Sequence, residues 1–156
     1  MPIEVKGLRL NVDSNCRGFE IQGLQKSDVF ENDYILDVVI QTVRPHKKRG
    51  PHFHNHKTEW FLPLEGAADL YGYESSEDIT RLRYKFLMTA DYEHPKIYVI
   101  RPKTCHWVKN NTERDFYMIA FSNTEYDNKN PDNIPCPDRS DSSTNSDVYG
   151  SCDQVS

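Results

Sequence analysis

Three of the six histidines fall within five positions, in the stretch Arg49-Gly-Pro-His-Phe-His-Asn-His-Lys-Thr-Glu-Trp-Phe-Leu-Pro-Leu-Glu-Gly66. Side chains alternate along a strand, so His52 and His54 share one face and Phe53 takes the other. Two imidazoles side by side are half of a metal site. Glu59 follows after four intervening residues, room for a turn and the start of a second strand that returns a carboxylate opposite the pair. A fourth donor must come from far along the chain. His106 is the candidate, placed after the extended run Ile97–Ile100 and the turn-like Arg101-Pro-Lys-Thr-Cys105. Three neutral imidazoles and one carboxylate suit zinc, iron, manganese, nickel or copper, and ligand type alone leaves the choice of divalent metal open.

Positioning these donors requires strands. Short runs rich in β-branched and aromatic residues recur at Phe19–Ile21, Tyr34–Val43, Trp60–Leu64, Ala67–Tyr73, Leu82–Met88, Ile97–Ile100 and Phe116–Phe121, with turn residues such as Asn32-Asp33, Gly50-Pro51, Glu65-Gly66 and Asn110-Asn111 between them. The run from Asp33 to Val43 is long enough for a helix, but its β-branched content and the following Pro45 favour a strand. The pattern predicts an all-β sandwich or small barrel of the jelly-roll kind, with no helix. Gly66 would sit in a tight turn between antiparallel strands, where a positive φ costs glycine nothing. Residues 1–135 read as one domain. The rest, 136–156, is almost devoid of large apolar groups and is expected to be a disordered or loosely docked tail.

Composition narrows the functions. The chain has 156 residues, 37% hydrophobic and 28% charged, with 24 acidic against 19 basic residues and a net charge of -5. No apolar stretch approaches the ~18 residues of a membrane span, and the first residues lack the order of a secretory signal. A soluble, cytoplasmic protein with no membrane partner is the expectation. The acidic balance, with no basic run beyond His46-Lys47-Lys48-Arg49, argues against nucleic acid and leaves small anions open. Cys16, Cys105, Cys136 and Cys152 form no CxxC pair and read as ordinary free thiols. By strand alternation Cys105, Trp60 and Trp107 should face away from the donors beside them.

The spacing resembles the cupin superfamily, whose RmlC-like members are double-stranded β-helix (jelly-roll) barrels. His52-x-His54, Glu59 and Gly66 match its first motif, HxH, then Glu, then Gly. Pro102 and His106 match the second, with Thr104 in place of the motif's glycine and one residue less before the histidine. A narrower resemblance covers roughly residues 45–135. His52–Phe61 and Ala120–Asp132 are similar to segments of the C-terminal cupin domain of capsular-polysaccharide UDP-sugar epimerase/reductases. In that family a zinc-bound cupin domain epimerises a 4-keto-6-deoxy hexose nucleotide, and an attached dehydrogenase domain reduces the ketone. The resemblance implies a divalent cofactor, zinc foremost, a nucleotide-sugar substrate and a homodimer. With no glycine-rich dinucleotide fingerprint in the sequence, the expectation is a stand-alone cupin with a separate reductase.

The reaction so implied is proton abstraction next to a ketone, which needs a base near neutral pKa and stabilisation of the enolate oxygen. His56, Tyr117 and Tyr98 are the candidate catalytic residues, with Lys57 beside them. Lys57 and Lys47-Lys48-Arg49 are candidates for meeting a diphosphate. Two other classes fit the same motifs: an iron-dependent cupin dioxygenase and a non-catalytic sugar-binding cupin.

Overall fold

The computed structural model describes residues 2–12, 19–22, 29–31, 33–75 and 84–139. Twelve strands and no helix occur among them. The β-branched and aromatic runs become β1 (Ile3–Gly7), β2 (Arg9–Val12), β3 (Phe19–Gln22), β4 (Asp37–Val43), β5 (Lys48–Phe53), β6 (Glu59–Glu65), β7 (Ala67–Glu74), β8 (Tyr84–Thr89), β9 (Lys96–Ile100), β10 (Thr104–Lys109), β11 (Phe116–Ser122) and β12 (Ile134–Pro135). β2 and β3 form a separate two-stranded ribbon. The others make two five-stranded antiparallel sheets, ordered β1-β9-β6-β11-β4 and β12-β5-β10-β7-β8. No helix among the described residues is long and apolar enough to cross a membrane.

Alternation sorts the side chains. Phe61, Tyr98, Ile100, Phe116, Met118 and Ala120 of the first sheet meet Ala68, Leu70, Met88 and Val108 of the second in one buried cluster. Intervening residues build outer layers. Trp60, Leu62, Ile97 and Val99 pack with Val29 and Phe30 behind the first sheet, and Tyr71, Tyr73, Cys105 and Trp107 cluster behind the second. Trp60, Trp107 and Cys105 thus face away from the neighbouring donors, in line with alternation.

Three sequence expectations need correction. Gly50-Pro51 is not a turn between strands but lies inside β5, where three residue steps from Arg49 to His52 oppose two on β10, from Val108 to His106. Gly50 adopts φ 89°, and a Cβ there would stand 2.7 Å from the His106 carbonyl oxygen, so this bulge requires glycine. Second, Cys105 is not a free thiol: it is disulfide-bonded to Cys136. Third, the turn before β10 ends at Lys103, which itself takes the left-handed φ of 61°, and Thr104 and Cys105 already belong to the strand. Of the expected tail, residues 136–139 dock on the barrel through Cys136, Asp138 and Arg139. The remainder, 140–156, lies outside the described residues, as do Cys16, Cys152 and the start of the run at Leu82.

Candidate metal centre

Four of the predicted site residues meet at one end of the barrel. His52 lies near the end of β5, His54 just beyond it, Glu59 opens β6, and His106 comes from β10, directly paired with His52. Their ligand atoms all lie within 4.8 Å of one another. The imidazole centroids of His52 stand 4.7 Å from His106 and 4.9 Å from His54. His54, Glu59 and His106 are buried, and His52 is half-buried at the edge of the cluster.

Hydrogen bonding fixes which nitrogen faces the centre. His106 Nδ1 donates to the Thr104 carbonyl at 2.9 Å, and His54 Nδ1 donates to the carbonyl of Asp132. A carbonyl can only accept, so both rings carry their proton on Nδ1 and present the Nε2 lone pair inward. There each meets the same carboxylate oxygen: Glu59 Oε2 is 3.1 Å from His54 Nε2 and 3.0 Å from His106 Nε2. His106 Nε2 is buried with no hydrogen bond, because a lone pair facing a carboxylate has no proton to share. Converging acceptors of this kind fit a cation, and the imidazole-carboxylate donor set suits a divalent metal.

In the metal-free cluster the same demand for positive charge at the centre is met by protons shared with Glu59. Burial and the adjacent His106 and His54 rings push the His52 pKa down to about 3, keeping that ring neutral. Burial opposes charge on Glu59, yet contacts with His106 and His54 outweigh it and hold the carboxyl well below its usual range. Burial likewise opposes charge on His54, but Glu59 and the Asp132 carbonyl raise its pKa above the ordinary value. The cleft therefore holds one negative carboxylate and attracts compensating positive charge.

A cavity of about 480 Å³ opens in front of the cluster. Besides the four donors it is lined by Arg49, Lys57, Gln41, Asp37 and Tyr126, with Phe61, Met118 and Val39 among its apolar walls. The size suits a small organic ligand, and two cations at its walls suit an anionic one. Arg49 and His52 line the same cavity although an odd number of positions separates them, a direct effect of the Gly50 bulge.

The three predicted catalytic residues are not brought to this cavity. His56 is exposed, in the turn between β5 and β6. Tyr117 lies on the outer face of β11, its hydroxyl 3.4 Å from Asp115. Tyr98 does point between the sheets, but into the filled part of the barrel, where its hydroxyl donates to the Leu87 carbonyl at 3.2 Å. Sequence reasoning missed Tyr126 and Asp132. Beyond orienting His54, Asp132 accepts from the backbone N–H groups of Asn55 at 2.7 Å and His56 at 2.9 Å. Partial burial opposes charge on Asp132, and those N–H groups outweigh it, lowering its pKa.

Residues 28–134 match the family model of the polysaccharide biosynthesis C-terminal domain. The chain belongs to this family. One curated relative is the UDP-2-acetamido-2,6-beta-L-arabino-hexul-4-ose reductase of Pseudomonas aeruginosa, 25% identical over 130 residues. The match takes in 79% of this chain but 30% of the reductase, so the polysaccharide biosynthesis C-terminal domain described here spans under a third of that protein's length. Among solved structures, the capsular polysaccharide assembling protein CapF from Staphylococcus aureus superimposes with a TM-score of 0.58 at 21% identity, covering 82% of this chain and 32% of CapF. A mutant of the 3,4-ketoisomerase QdtA from Thermoanaerobacterium thermosaccharolyticum, solved in complex with TDP-4-keto-6-deoxyglucose, gives 0.67 at 17% identity, covering 85% and 86%. The shared fold is the cupin jelly roll.

Proposed function

We propose that this chain is a metal-binding cupin that epimerises or isomerises a nucleotide-linked 4-keto-6-deoxy sugar by moving a proton next to the ketone. The observation that carries the metal part is the convergence of two Nε2 lone pairs on Glu59 Oε2. His52, His54, Glu59 and His106 would hold the ion, zinc foremost. When bound, a dication supplies a Lewis acid for the enolate oxygen that proton abstraction creates.

The substrate class rests on the cavity and on kinship. Arg49 and Lys57 give the cavity two cations able to meet a diphosphate, with Arg49 offering a planar fork of donors. Family membership, the keto-sugar reductase among the relatives and the keto-sugar nucleotide bound by QdtA favour the same class. Among the titratable groups lining the cavity, Asp132 is occupied with backbone N–H groups. Asp37, Lys57 and Tyr126 are the other non-donor groups there able to hold or move a proton beside a bound sugar. His56, Tyr98 and Tyr117 have no such place in this reading.

The reading extends to a cytoplasmic homodimer, with a reductase acting on the product. The self-association part is supported by the edge strand β4, which presents Val38 and Ile40 at 54% and 72% exposure and is preceded by exposed Tyr34 and Leu36. The deciding experiment pairs metal analysis of chelator-free protein with solvent-deuterium incorporation into a panel of 4-keto-6-deoxy nucleotide sugars. Bound zinc and exchange at C3 are expected. Bound metal without exchange into any sugar of the panel would overturn the epimerase or isomerase assignment.

A further inference from the structure

The segment from Pro131 to Arg139 is fastened to the turn after β5 through Asp132 and to the second sheet from Ile134 onward. Ile134 and Pro135 pair with Phe53 and His52, and the Cys136 N–H donates to the Pro51 carbonyl at 3.3 Å. Cys136 is bonded to Cys105, Tyr73 Oη donates to the Pro137 carbonyl at 2.6 Å, and Lys48 Nζ meets Asp138 at 2.5 Å. The Arg139 guanidinium lies 5.3 Å from the centre of the Tyr73 ring. One end of this segment delivers Asp132, which orients His54 and ties down the turn after it. The disulfide anchors the segment to β10 at the residue beside His106. A single covalent bond therefore couples the element that orients one donor to the strand that carries another.

We propose that Pro131–Arg139 is a latch on the donor cluster, closed by the Cys105–Cys136 disulfide and opened by a cellular dithiol, so that thiol-disulfide exchange sets how tightly the site holds a divalent cation. Cys105 is fully buried and Cys136 half-buried, which directs attack to Cys136. A thiolate of the dithiol attacks Cys136 Sγ, the Sγ–Sγ bond breaks, and Cys105 leaves as a thiolate that takes up a proton. The second thiol of the reductant then displaces Cys136 as a thiol. Two electrons pass to the protein, and the reductant departs as its own disulfide. With the covalent link gone, the segment is held by non-covalent contacts alone. The His54 ring loses its enforced orientation whenever Asp132 lifts away. Partners of this kind behind a ligating imidazole change metal affinity about 10- to 100-fold. In a reducing compartment disulfides seldom persist, so there a bond at this position is of the exchanging kind.

The inference rests on the metal reading above, and the experiment separates the two. The full chain is loaded with zinc, and its affinity and release rate are measured against a chromogenic chelator for three forms: oxidised, reduced with a phosphine and alkylated, and Cys136→Ser. The opened forms should bind at least tenfold more weakly and release faster. Oxidised Asp132→Ala keeps the backbone carbonyl on His54 and loses only the carboxylate anchor on the Asn55 and His56 N–H groups, so it should show a smaller loss, and opening the disulfide in that variant should weaken binding further. Equal affinity and release rate in the oxidised, reduced and Cys136→Ser proteins would overturn the latch while leaving the metal reading intact. If the oxidised protein binds no zinc, the metal reading fails. Amide exchange at Asn55–Thr58 then judges the latch alone: faster exchange on reduction supports it, and unchanged exchange overturns it.

Discussion

The cavity has two unlike walls. On one side β5, β10 and the Pro131–Arg139 segment hold the imidazoles by strand pairing, a disulfide and hydrogen bonds to both Nδ1 atoms and the turn backbone. On the other, Asp37, Val39 and Gln41 line the cavity from an edge strand whose reverse side exposes Val38 and Ile40. A bound ion would tolerate only small errors in donor position, and the first wall is braced in the way such a site requires. A wall facing a larger organic ligand gains from adaptability, and an edge strand supplies it. The contrast teaches that the candidate donors are braced while part of the remaining lining comes from an edge strand, so mutations on β4 should alter the cavity without touching a donor.

The largest expected effect is at the carboxylate. Glu59→Gln keeps the size but removes the only negative charge among the four donors; bound metal should fall below a tenth of stoichiometric, and solvent exchange by roughly a thousandfold or more. Metal analysis and deuterium exchange check both, and full metal content would break the division of labour. Next comes Gly50→Ala. A Cβ there presses on the His106 carbonyl and φ is 89°, so the cost is about 1–3 kcal/mol of stability, read as a lower melting temperature together with weaker metal binding.

Acid should act on the donor wall through His52. His52 has a folded-state pKa lowered to about 3 from an unfolded value near 6.5. The unfolded chain therefore binds the extra proton first, and stability of the metal-free protein falls as pH drops from about 6.5 toward 3. Denaturant titrations should show that slope flatten in His52→Asn. A smaller effect is expected from Val39→Lys, which changes the second wall: roughly tenfold on KM for the nucleotide sugar, with metal content unchanged. The mildest is Ile40→Lys. On the reverse of that wall it should shift a dimer toward monomer in sedimentation without altering zinc affinity; an unaltered dimer would move the subunit contact elsewhere.

Much of this was legible in the sequence because donors constrain residue type and strands constrain spacing. His52, His54 and Glu59 meet because a two-residue period and a short turn leave few alternatives, and His106 follows from the extended run before it. Tyr98 and Tyr117 misled for the same reason in reverse. Which face of a strand turns inward depends on its register, and one residue of slip exchanges the faces. Even an inward tyrosine, as Tyr98 is, can end in the filled part of a barrel. Asp132 acts through its backbone carbonyl as much as its side chain, which leaves no compositional trace. The pairing of Cys105 with Cys136 spans 31 residues and depends on β12 docking beside β5, a contact that two residues cannot announce.

The bulge at Gly50 has a wider consequence. Because it inserts one residue between Arg49 and His52, it shifts the phase of everything before it on β5 relative to the histidines. Arg49 and the candidate donors His52 and His54 thus sit on opposite sides of a single-residue frame boundary. Deleting one residue there would leave the histidines in register with β10 and rotate Arg49 out of the cavity, removing one of its two cations and leaving its carboxylates less balanced without touching a donor. Relatives of this barrel could diverge in ligand charge through one insertion or deletion, a route that scoring substitutions position by position would not detect.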